Sequence, residues 1–137
     1  MPGETDVATL LATMQPVLHA EAYAFCTITP RELAGLAATP LGIFREREGV
    51  TVIVTAQEAR QHGLSFNSTW AYIELTVHSA LTVVGFLAVI SQRLAEAGIS
   101  VNVVSAYYHD HLFVPWERRA QSLAILDALA SQYRSQP

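Results

Sequence analysis

The sequence predicts an α/β chain built from two successive strand–helix–hairpin–helix units, and three observations carry that expectation. Residues 22–29 and 70–77 alternate side chains at the strand period of two. Each of these segments is followed by a helix-start signal, a hairpin pattern and a second amphipathic stretch. The 137 residues are 51% hydrophobic and 15% charged, which offers enough apolar surface to offset the entropy of folding in one compact domain or two very small ones sharing a core.

The elements follow in order. Val7, Leu10, Leu11 and Met14 recur at i, i+3, i+4 and i+7 after Asp6, a good N-cap residue, and predict a short amphipathic helix ahead of Pro16. In the strand at 22–29, Ala22, Ala24, Cys26 and Ile28 share one face, with Tyr23, Phe25 and Thr27 on the other. Cys26 reads there as a small buried hydrophobe. Thr29, Pro30 and Glu32 form a capping box with Pro at the first helical position, opening a helix that ends near Ala37. Residues 43–48 and 50–55 read as a hairpin in which Gly49 is expected to supply a positive φ. Arg45, Glu46, Arg47 and Glu48 would then alternate across the strand faces. Thr55 and Glu58 repeat the capping box for a helix that stops at Gly63.

The second unit starts with the strand at 70–77. Ser79 is expected to cap a long helix in which Val84, Leu87, Ala88, Ser91, Leu94 and Ala95 form the apolar stripe, closed by Gly98. A second hairpin runs over 100–108 and 111–114, with His109 and Asp110 as its turn. Pro115 and Trp116 open a last helix carrying Leu123, Leu126, Ala130 and Tyr133 inward. The halves divide as residues 1–64, with the leading helix, and residues 65–137. Each is βαββα, one strand short of the ferredoxin-like split βαβ unit, so each is expected to borrow or abut an edge of the other.

Composition removes several function classes. The net charge is −4 and no basic block occurs, which argues against nucleic acid and anionic membrane as partners. All eight basic residues are Arg, so Schiff-base and P-loop lysine chemistry is excluded. The first residues are acidic rather than a basic n-region, and the apolar run at 81–90 is too short to span a bilayer, so a cytoplasmic protein is expected.

The stretch HSALTVVGFLAVISQRLAEAGISVNVVSAYYHDHLFV at 78–114, with FREREGVT upstream, resembles the ACT domain, and in particular the small stand-alone bacterial tandem ACT-like proteins. The glycine in the first turns of the helix and the Asn on the second strand are similar to aspartokinase-type regulatory ACT modules. The chain departs from many ACT sequences by carrying His78, Ser79 and Ala80 in place of an acidic or amide residue and a Pro-Gly pair. The first half departs further, with a different cap at 29–33. The resemblance implies tandem ferredoxin-like halves, antiparallel sheets with helices on one face, and a regulatory module that binds a small ligand, an amino acid, without chemistry of its own. If the missing edge strands are exchanged between chains, a homodimer follows, and no cofactor is expected.

An amino acid needs N–H donors for its carboxylate and acceptors for its ammonium. A helix start at Ser79 would place the loop 79–84, with Ser79, Ala80, Leu81 and Val84, as the carboxylate cradle. Gly85 would allow close backbone approach, while Asn102 and the backbone of Val101 and Val103 would take the ammonium. Glu46, Glu48, His78 and His109 are candidates around the site or at the interface of the halves. Plain structural roles compete at each position: Ser79 as a cap worth about 1 kcal/mol, Asn102 facing water on an edge, Gly85 as a packing residue. His109, Asp110 and His111 are too few for zinc without a remote fourth ligand, and read as turn and strand residues with no metal. The rival functions are a small enzyme using His78, His109 or Glu46 as acid and base, which requires two of them in one pocket, and a pure interaction module.

Overall fold

The computed structural model describes residues 3–136. Its elements are α1 (Val7–Thr13), β1 (Pro16–Ile28), α2 (Pro30–Ala34), β2 (Gly42–Arg45), β3 (Val50–Thr55), α3 (Ala56–Gln61), β4 (Trp70–Leu75), α4 (Phe86–Glu96), β5 (Asn102–Ser105), β6 (Asp110–Pro115) and α5 (Arg119–Arg134). A 3-10 turn at Trp116–Arg118 leads into α5. The chain divides into two compact units, residues 20–70 and residues 3–19 with 71–136. Each is an α+β unit with helices on one face of an antiparallel sheet, as the sequence predicts.

In the first unit the strand order is β2-β3-β1, with Cys26 opposite Val52 and Ile43 opposite Val52 on its other side. The inward face of β1 is the one read from the alternation: Ala24, Cys26 and Ile28 join Val50, Val52, Val54 and Ala59 in the core. Burial pushes the Cys26 thiol up, which suits an inert packing residue. Both capping boxes form, Thr29 with Glu32 and Thr55 with Glu58. Gly49 does not take the positive φ expected of it. Its missing Cβ answers to crowding instead, since that atom would lie 2.7 Å from Thr27 Oγ1. β2 ends at Arg45, so Glu46, Arg47 and Glu48 sit in the turn rather than on alternating strand faces.

In the second unit the order is β1-β4-β6-β5, and α1, α4 and α5 pack with Ala71, Ile73, Leu75, Leu112 and Val114 into one core. α1 stands at the head of the first half in sequence but belongs to this unit, where Leu10, Leu11 and Met14 are buried. β1 begins at Pro16, six residues before the alternation becomes clean, and its 13 residues supply strand to both units. Residues 15–19 run beside β4: Thr76 Oγ1 donates to the Gln15 carbonyl at 2.9 Å. The turn of the second hairpin is Ala106 to His109, closed by Ala106 N–H donating to the His109 carbonyl, and Asp110 is already strand. No helix among the described residues is long and apolar enough to cross a membrane.

Candidate functional site

The largest departure from the sequence reading lies between β4 and α4. The helix starts at Phe86, seven residues after Ser79. Its N-cap is Gly85 at φ +97°, and no side chain caps it. The inward stripe is therefore Phe86, Ile90 and Leu94, and Val84, placed on that stripe by the sequence, is 86% exposed. Ser79 is buried in the preceding loop, where its Oγ donates to Asp110 Oδ2 at 3.1 Å. The same loop is held by residue 4: Glu4 N–H donates to the His78 carbonyl, and Ala80 N–H donates to the Glu4 carbonyl, both at 2.9 Å.

The uncapped start of α4 opens onto a cavity of about 140 Å³. The loop contributes Ser79, Ala80, Leu81 and Val83, the helix Gly85 to Ala88, and the hairpin Ser105, Ala106 and Asp110. The first intrahelical bond is Val89 N–H to the Gly85 carbonyl. The N–H groups of the first turn thus have no intrahelical acceptor and add the positive end of an 11-residue helix. The arrangement suits an anionic group.

Of the residues singled out from sequence, Ser79, Ala80, Leu81 and Gly85 line this cavity. Val84, Asn102 and Val103 do not. Asn102 is exposed on the edge strand β5, and Val103 packs against the core. The Ala80 N–H is spent on Glu4. Glu46 and Glu48 are exposed in the β2–β3 turn of the first unit, where Glu46 accepts from Thr51 Oγ1. The His78 ring packs beside Tyr108, 5.3 Å between centroids. Asp110 and the first turn of α4 escaped the sequence reading. The i, i+4, i+8 spacing of Phe86, Ile90 and Leu94 behind Gly85 was the signal for the true helix start.

His109, in the turn, and His111, on β6, find partners apart from that of Asp110, so the trio does not converge. His109 Nδ1 and His19 Nε2 flank the Glu74 carboxylate at 3.2 and 3.1 Å. His111 Nδ1 lies 2.6 Å from the Tyr72 hydroxyl, and burial pushes its imidazole below the usual histidine range. No group of three or more His, Cys, Asp and Glu able to hold a metal ion occurs among the described residues. The first unit has a cavity of about 220 Å³ beside α3, but that six-residue helix is closed by its own Thr55–Glu58 box.

Residues 2–71 match one family model of the ACT domain and residues 66–128 match another. Among solved structures, a Vibrio cholerae protein of unknown function, described as a possible transport protein, is 41% identical with a TM-score of 0.79, over 90% of this chain and 95% of its own. The regulatory subunit of aspartate kinase from Thermus thermophilus, ligand free, shares the fold at 12% identity and a TM-score of 0.66, over 87% of this chain and 97% of its own. A protein from Agrobacterium tumefaciens does so at 16% identity and a TM-score of 0.66, over 85% and 89%. No curated protein matches the sequence.

Proposed function

The chain belongs to the ACT-domain family as a tandem of two such modules, and on that premise we propose that it is a regulatory module that binds an α-amino acid at the start of α4. The observation that carries this reading is the uncapped N-terminus of α4 facing a small cavity. Its free N–H groups suit the ligand carboxylate, with Ser79, Leu81 and Gly85 shaping the loop around it. At about 140 Å³ the cavity is well below the 300 Å³ or so at which sites for drug-sized ligands begin, which favours an amino acid over a nucleotide.

The protein acts by binding rather than by catalysis in this reading. None of His78, His109 and Glu46 lines the cavity, so the acid and base that an enzyme would need are not gathered there. Self-association is part of the proposal: β2 is the end strand of its unit and exposes Ile43 and Phe44, an apolar edge suited to a second copy of the chain. Light scattering should give the mass of a homodimer.

A thermal-shift screen against the twenty amino acids and common nucleotides tests the ligand class. A ligand at 100 times its Kd stabilises the fold by about 2.7 kcal/mol, or several degrees in Tm for a chain of this size. We expect a shift from at least one amino acid and none from nucleotides. No shift with any amino acid overturns the reading.

A further inference from the structure

We infer that the ligand is an α-amino acid with a small, uncharged side chain, its ammonium held by Asp110; the inference rests on the amino-acid reading above. Asp110 is the only charged side chain lining the cavity among the described residues, and it is 5% exposed. Its Oδ2 accepts from Ser79 Oγ. No protein donor among the described residues reaches Oδ1. No buried side-chain nitrogen or oxygen among those residues lacks a partner, so Oδ1 is open to solvent, and Asp110 lines the cavity. Facing the cavity with no protein donor of its own among the described residues, Oδ1 is free to accept from a cation or further donors brought by a ligand. The first turn of α4, on the same cavity, calls for an anion. One acid and one helix N-terminus match the two charges of an amino-acid zwitterion.

The same inventory restricts the ligand side chain. No Arg or His among the described residues lines the cavity, so a second carboxylate would stand beside Asp110 without a cation from them. A second cation would find no second acid. The rest of the lining is mostly apolar, with Leu81, Val83, Phe86 and Leu87 as its largest side chains, and the volume leaves room for a short aliphatic or hydroxyl-bearing side chain. Ser79 acts as a positioning residue, fixing the rotation of the Asp110 carboxylate.

Calorimetry on the full chain separates these elements. L-alanine, L-serine and L-threonine are titrated against L-aspartate, L-glutamate, L-lysine and L-arginine. L-lactate, which is alanine with a hydroxyl in place of the ammonium, tests the Asp110 contact without any mutation. The Asp110→Asn variant tests it directly and retains an acceptor for Ser79. A neutral amino acid should bind about tenfold or more tightly than the charged ones, and lose about tenfold or more in the variant and against lactate. Equal binding of a charged amino acid, lactate matching alanine, or an Asp110→Asn variant that binds as the parent does overturns the assignment while leaving the amino-acid reading in place. Should none of the twenty amino acids bind, both fall together.

Discussion

The helices that follow β1 and β4 are started in opposite ways. α2 has five residues, none buried, and a complete capping box in which Thr29 and Glu32 satisfy each other's backbone. α4 has 11 residues, buries Phe86, Ile90 and Leu94, and has no side-chain cap at all. A short helix without a buried face depends on its cap. A longer one anchored by three core side chains can leave its N–H groups free. The proposed site relies on that freedom in the second half, while in the first half Thr29 and Glu32 already occupy the equivalent positions.

Core truncation should show the largest difference. Phe86→Ala removes a side chain that is 1% exposed at the first position of α4, and should cost about 3–5 kcal/mol in urea unfolding. The matching change in α2, Leu33→Ala, touches a half-buried residue and should cost clearly less. Equal losses would mean that α2 is core-anchored after all. Next comes Gly85→Ala, which forces a Cβ into the left-handed region at φ +97° and should cost about 1–2 kcal/mol although the space around it is open. The amino-acid binding proposed above should weaken with it, since Gly85 is the N-cap of α4.

Thr29→Ala should cost about 1 kcal/mol by removing the cap on which α2 depends. The binding proposed for the second half should not change with it. A pH effect is expected to be smallest. Burial holds the His111 imidazole below its ordinary value, with His109 and His19 lowering it further against the opposing pull of Glu74 and Asp110. The unfolded chain therefore takes up a proton at about pH 6.5 that the folded chain still refuses. Stability is full above that pH and declines as pH falls below it. Melts between pH 7.5 and 5 should show the decline, and His111→Gln should flatten it.

The local features were legible in the sequence because their partners are close along the chain. Both capping boxes span three residues, the Asp6 cap and α1 stripe lie within one short window, and the β1 alternation marks its buried face directly. The start of α4 was not legible. Ser79 looks like a cap because a Ser ahead of an apolar stretch usually is one. Its hydroxyl instead finds Asp110, 31 residues away, and its loop is pinned by Glu4, far upstream in the sequence. The stripe drawn from Val84 onward was out of phase for the same reason.

By itself the sequence determined the order of elements, the duplicated βαββα plan, the absence of lysine chemistry and the family resemblance, since these rest on periodicity, composition and short spacings. Only the tertiary structure decided that β1 serves both units, that α1 packs with the second half, and that the cavity is formed by Asp110 and an uncapped helix rather than by Asn102 and a Ser79 cap. The physical reason is that a buried polar group takes whichever partner the fold brings near, and sequence distance carries no information about that partner.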